Sequence, residues 1–203
     1  MKATVSMKNV LETLHHSKAT QELVRFWLNL PRPEGHICPK RADFSSARIN
    51  GSLPEVFLSE WYGDDALVVV QAGTVLDRLI GLDMTGKNIF DMTPPELVAD
   101  ERTYYQLLRD QPCAGFITRS MINFADKPFI YRTVQMPLLD PFHKVRYFVG
   151  TGFVIEGKQM EAEFGKLDFK KAKLVERRFF DIGAGVPNEI KLADTSLESR
   201  PDN

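Results

Sequence analysis

From Thr20 the apolar residues Leu23, Phe26, Trp27 and Leu30 recur at helical spacing with Glu22 in the first turn, and Pro31 stops the run. This pattern predicts a short amphipathic helix, whose aromatic stripe packs on the chain's own core or on a second copy. The segment PRPEGHICPKRADFS that follows reads as an ordered loop. After Leu53-Pro54 the pattern turns extended: a strand over Glu55–Trp61, a connection Tyr62-Gly63-Asp64-Asp65, and an antiparallel strand over Leu67–Ala72 built on Val68, Val69 and Val70. Gly73 lets the chain turn where a Cβ would hinder it, and Thr74 can cap a helix with Asp77 near its positive end, apolar Leu76, Leu79 and Ile80, and Gly81 as its stop. Ile89, Phe90 and Met92 anchor the next stretch. Thr93-Pro94-Pro95-Glu96 then carries a capping-box signature for a helix reaching about Arg109, with Leu97, Glu101, Tyr104, Tyr105 and Leu108 along one side. From Cys113 to Ile155 the period is two. Phe116–Phe124, Phe129–Leu138 and Val145–Ile155 are extended runs with short connections, an antiparallel meander.

Beyond Gly157 the chain becomes strongly charged, yet Phe179, Phe180 and Ile182 are too apolar to stand together in water and are expected to dock on the domain or a partner. The expected organisation is a flexible N-terminus over 1–19, a folded domain over 20–157, a charged docking extension over 158–187 and a disordered tail over 188–203. With 203 residues, 43% of them hydrophobic, the chain can bury a proper core. Its formal net charge of -1 argues against nucleic acid as the main partner. Cys38 and Cys113 form no disulfide framework, and no apolar run approaches the ~20 residues that span a bilayer, so a cytoplasmic protein without membrane contact is expected. His36 with Cys38 lacks a second ligand pair at metal spacing, His15 and His16 point to different sides of any helix, and Gly183-Ala184-Gly185 lacks the remainder of a dinucleotide motif. No metal is expected. Arg41 and Asp43 suit an internal clamp in which guanidinium and carboxylate tie the loop to the sheet.

The order of elements, helix, strand, strand, short helices, longer helix and three antiparallel strands, makes an α+β fold that resembles the PAS fold: a five-stranded antiparallel sheet with helices on one face, plus the N-terminal amphipathic helix and the C-terminal extension. Phe26-Trp27, Pro39-Lys40-Arg41-Ala42-Asp43, Leu53-Pro54, Ala72-Gly73-Thr74, Gly81 and Thr85-Gly86, in this order and separation, resemble the stand-alone PAS-like family of bacterial signalling proteins long classed as a domain of unknown function. The likeness runs from about Leu23 to Ile155. It implies a ligand-sensing or protein-interaction domain in signal transduction without an established catalytic set. Arg41, Asp43, Leu53, Pro54, Gly73, Thr74, Gly81 and Gly86 carry over as structural motif positions. No kinase or cyclase segment follows, so signalling is expected to pass through a partner protein, with a homodimer as the working form.

The cofactor is left unknown by these residues. Haem is unfavoured because the helix after Pro94 offers no His, and a cysteinyl-flavin photosensor is unfavoured because Cys113 lies beyond the helix and lacks the Asn-Cys-Arg setting. A cavity between that helix and the sheet, lined by some of Phe90, Met92, Tyr104, Tyr105, Leu108, Arg119, Tyr131 and Tyr147, would take a small metabolite, although the same residues also describe an ordinary core. Two other functions compete with sensing: a small cavity enzyme acting on a hydrophobic acid or ester through Arg119 or His143, and a structural adaptor with no ligand.

Overall fold

The computed structural model describes residues 17–49 and 51–188. The expected flexible N-terminus up to residue 16, His15 and His16 included, and the tail from residue 189 lie outside the described residues. The first helix, α1 (Lys18–Asn29), begins two residues before the apolar pattern does, because the Ser17 hydroxyl caps it by accepting the Thr20 amide at 3.2 Å. Its Leu23, Val24 and Trp27 are buried on the protein's own sheet. Polar contacts fix its seat there: Thr20 and Thr151 share a hydroxyl hydrogen bond of 2.7 Å, and the Trp27 indole donates to the Pro137 carbonyl at 3.0 Å.

Strands β1 (Val56–Tyr62), β2 (Ala66–Ala72), β3 (Ala114–Ile122), β4 (Pro128–Leu139), β5 (Val145–Glu156) and β6 (Lys173–Phe180) form one antiparallel sheet in the order β2-β1-β5-β4-β3-β6. The sheet therefore has one strand more than the five expected, and the charged extension supplies it. Between β2 and β3 lie α2 (Thr74–Ile80), α3 (Ile89–Met92) and α4 (Val98–Asp110). They cover one face of the sheet, and α1 covers the other. Along β3 the alternation is plain: Phe116 joins the core under α1, while Ile117 and Met121 join the cores under the other helices. Each large side chain buried in these layers contributes about 1.5–3 kcal/mol.

Local sequence chemistry sets the connections. Asn123 and Asp140 close the β3–β4 and β4–β5 turns, each side-chain oxygen accepting two backbone amides at 2.8–2.9 Å. Gly86, at φ 81°, lets its turn pair with β2 through the Val69 amide and carbonyl. Three expectations fail. Thr74 does not cap α2: it is the first helical residue, and Gly73 holds the cap position with no side-chain hydrogen bond. Thr93 does not cap α4: it follows α3, its hydroxyl donating back to the carbonyl of Ile89, the first residue of that helix, and Pro95–Leu97 forms a 3-10 turn that leads into α4 with no side-chain cap. Arg41 makes no ion pair with Asp43, and its guanidinium donates to the Phe44 carbonyl at 3.2 Å. Backbone ties that loop to the sheet instead, through the Leu139 amide and the Pro39 carbonyl at 2.9 Å.

The extension continues as α5 (Gln159–Gly165), which packs on α2 with Arg78 paired to Glu163 at 2.9 Å, then a 3-10 turn over Phe169–Lys171 and β6. Phe180 is buried against Phe116 on one side of the sheet, and Phe179 stacks on Tyr104 on the other at 5.3 Å.

Gly73 is required for close approach, not for a left-handed backbone. Its φ is -80°, but a Cβ there would overlap the Leu53 and Pro54 backbone where the loop before β1 crosses the start of α2. Gly73→Ala is expected to lower unfolding stability by about 3 kcal/mol, the cost of an overpacked site that cannot shift. Gly51→Ala, where an added carbon meets nothing within 4 Å among the described residues, should change it little; denaturant unfolding of both variants measures the difference.

Candidate ligand cavity

A cavity of about 60 Å³ lies between the sheet and the helices α2–α4. Phe57, Leu76, Ile80, Met84, Met92 and Phe169 form much of its apolar wall, and Glu101, Tyr105, Arg119, Tyr131 and Thr133 bring polar atoms to it. Helical spacing puts Glu101 and Tyr105 on one side of α4, and strand alternation brings Tyr131 and Thr133 to the inner face of β4 beside Arg119 of β3.

Apart from Tyr131, these polar groups belong to one buried network. Arg119 donates to Glu101 through Nη2 and to the Thr133 hydroxyl through Nη1 at 3.4 Å, with Glu101 1% and Arg119 6% exposed. Gln135 links the two adjacent tyrosines, its Oε1 accepting the Tyr104 hydroxyl at 3.0 Å and its Nε2 donating to the Tyr105 hydroxyl at 3.2 Å and to Thr133 at 2.8 Å. Arg177 of β6 comes to the same region. Its Nη1 donates to the Asp100 carbonyl at 3.2 Å, while its buried Nε has no partner among the described residues. Burial lowers the pKa of Arg177, and the Glu101 charge acts against that shift. Tyr131 lies with its hydroxyl over Gly152, where any Cβ would collide with it, and Phe169 packs edge-on against its ring at 5.6 Å.

Of the residues singled out in the sequence, Met92, Tyr105, Arg119 and Tyr131 line the cavity. Phe90, Tyr104 and Leu108 are buried beside it in the adjoining core. Tyr147 is on the opposite face: a register shift at Leu138/Leu139 sets it across from Leu138 under α1, and Phe148 takes the inward position. Sequence reasoning left out Glu101 as a site residue, although its place four residues before Tyr105 on the buried side of a helix was the available signal. Thr133 and Gln135 were marked only by sharing the parity of Tyr131. Phe169 and Ala172, which complete the wall, carried no signal because they lie in a charged stretch with no period.

His143 is elsewhere. It occupies the β4–β5 turn at φ 63° and meets His36 edge-on at 4.6 Å, on a separate cleft of about 520 Å³ that also reaches Cys38 and Arg109. Among the described residues no carboxylate hydrogen-bonds either imidazole, and no group of three or more His, Cys, Asp or Glu side chains stands ready to hold a metal ion. Cys38 and Cys113 are free and buried, and burial pushes both thiols up to about 12. Neither should be alkylated by iodoacetamide at about pH 8 in the folded protein, and both should react in denaturant, as read by intact mass.

An antiparallel sheet roofed by short helices over a small cavity is an α+β fold, and comparison with known proteins gives the family. The PAS domain family model matches residues 15–152, and the chain belongs to that family, whose domains act as sensors in signalling. No curated protein matches the sequence. Among solved structures, the chain is similar to the PAS domain of Bordetella pertussis BvgS (11% identity, TM-score 0.41, 57% of this chain and 85% of that one) and to VqmA of Vibrio cholerae (17%, TM-score 0.40, 56% and 53%). A light-oxygen-voltage domain with a flavin analogue is also similar (14%, TM-score 0.41, 54% and 83%). Among the described residues no helix is long and apolar enough to cross a membrane.

Tyr104, Tyr105 and Tyr131 have phenol pKa values raised by burial. A raised phenol pKa leaves stability untouched while both states are neutral. Above about pH 10 the unfolded chain releases protons that the folded chain retains, so stability falls as pH rises. Alkaline titration followed at the phenolate absorbance should show these three of the five tyrosines ionising together with the loss of native circular dichroism. Their ionisation within the folded state would contradict the burial.

Proposed function

We propose that this protein is a non-enzymatic, cytoplasmic PAS sensor that binds a small metabolite in the cavity and reports occupancy through its C-terminal segment to a second copy or a partner protein. The observation that carries this reading is that Phe169 and Ala172, beyond the family match at residue 152, wall the cavity while the same segment continues as β6 along β3. A ligand that presses on Phe169 acts on the chain leading into β6. Such coupling requires the ligand to bind one arrangement of that segment better than the other. Partner contact is supported at α5, where Met160 and Phe164 are 68% and 83% exposed close to Phe124, itself 69% exposed.

Thermal-shift and native mass-spectrometric screening of small metabolites, followed by hydrogen exchange, tests this function. A compound that raises the melting temperature should also alter amide exchange between Phe169 and Phe180 more than in β1 or β5. Stabilisation without that response would remove the coupling, and no binding by any compound would leave an interaction module. The cavity's 60 Å³, far below the 300–1,000 Å³ usual for ligand sites, favours one second reading: an adaptor whose interior is filled by its own side chains. Phe164→Glu separates the role of the exposed patch from the cavity. It should weaken self-association in sedimentation velocity and leave the melting temperature unchanged.

A further inference from the structure

Among the described residues, Glu101 and Arg119 are the only formally charged side chains that line the cavity, and they offset one another. The rest of the lining is mostly apolar, Phe57, Leu76, Ile80, Met84 and Phe169 included. An ion entering this space would bring a charge that nothing on the wall compensates, and a buried unpaired charge is costly. Three hydroxyls add polar capacity that the fold leaves unused. Tyr104 gives its proton to Gln135 Oε1 at 3.0 Å, so the Gln135 amide nitrogen is turned to Tyr105 at 3.2 Å and to Thr133 at 2.8 Å. Both of those oxygens are thereby acceptors, and the Thr133 oxygen also takes Arg119 Nη1 at 3.4 Å. A hydroxyl that accepts still has its own proton to donate. Among the described residues neither of these protons has an acceptor, and the Tyr131 hydroxyl makes no hydrogen bond. All three residues line the cavity, with Tyr105 3% and Tyr131 2% exposed.

Resting on the sensor reading, we propose that the ligand is a neutral, largely apolar molecule that carries a carbonyl group. Its carbonyl oxygen, which has two lone pairs, is received by the hydroxyls of Tyr105 and Thr133. These two stand together because both meet the same Gln135 nitrogen. The apolar body of the ligand lies against Phe57, Leu76, Ile80, Met84 and Phe169. The cavity is half open, so its volume sets no limit on the far end of the molecule. Selection rests on charge and on the acceptor. Gln135 is the positioning residue: its orientation, set by Tyr104, makes Tyr105 and Thr133 present protons instead of lone pairs to the cavity.

Titration of the full chain with cyclopentanone, methylcyclopentane, cyclopentanecarboxylate and cyclopentylammonium, followed by amide NMR shifts, tests the assignment. Cyclopentanone is expected to bind saturably with its shifts centred on α4, β3 and β4, and neither ion is expected to bind. The double variant Tyr105→Phe with Thr133→Val keeps the volume of the wall and removes both hydroxyls. It should weaken cyclopentanone by about tenfold or more, the scale of one or two net hydrogen bonds, and leave methylcyclopentane unchanged. A loosened fold would weaken both. The infrared carbonyl band of bound cyclopentanone should also move to higher frequency in the double variant, because two donors have left the oxygen. Undiminished cyclopentanone binding by the double variant, equal losses for ketone and hydrocarbon, an unmoved carbonyl band, or binding of either ion as tight as the ketone would overturn the proposal. Binding of methylcyclopentane alone would remove the carbonyl and leave a sensor of apolar ligands. Failure of all four compounds would remove this ligand class, and the sensor reading would then be decided by the wider metabolite screen.

Discussion

Glu101 and Arg119 are both almost completely withdrawn from water, and each is tolerable there only because the other is present. Removing one member of such a pair strands a charge in a medium that solvates it poorly, at a cost of about 3–5 kcal/mol. The pair therefore fixes where α4 lies over β3. Tyr104, Tyr105 and Leu108 follow from that placement, because they share the buried side of the helix, and the hydrogen bonds of Gln135 to both tyrosines follow from it in turn. An all-apolar contact would hold the helix as firmly. It would not set the helix register, and it would leave the interior of the domain without polarity.

The other face of the sheet is organised by different means. There α1 binds through shape and two single hydrogen bonds, and further along the same face the Phe116 ring is covered by the Arg132 guanidinium at 4.1 Å, itself held by the Thr118 hydroxyl at 2.8 Å. Burial lowers the pKa of Arg132, with Glu176 of β6 acting in the opposite sense. Thus β6 makes a polar contact on each face of the sheet, Glu176 pairing with Arg132 on one and Arg177 donating to the Asp100 carbonyl on the other.

Much of this architecture was legible in the sequence because the strands from Ala114 to Glu156 have period two and short connections, although Asn123, which closes the first turn, was read as part of the Phe116–Phe124 run. The PAS-type order of elements was legible for the same reason. What failed were inferences that depended on a single competing hydrogen bond or on parity through an irregularity. Thr93 had two helices to serve and served the earlier one. Tyr147 stood among the candidates for the cavity wall, and the register shift opposite Leu138 and Leu139, which the sequence of β5 does not reveal, leaves it on the other face. The cavity residues Tyr105, Arg119 and Tyr131 were named from chemistry on predicted elements, whereas Phe169 was beyond reach: its position is set by the path of a charged segment around the end of the sheet.

That path bears on where the protein can be divided. Similarity to the family ends at residue 152, but the physical unit does not: cutting there would bare the long edge of β3, uncover the Phe179 side of Tyr104 and remove a wall from the cavity. A chimaera joined at the family boundary would inherit the outline of the domain without its closed interior. The portable piece extends through Phe180, and a foreign domain fused just after it would be attached directly to the strand that borders the cavity's own closing segment.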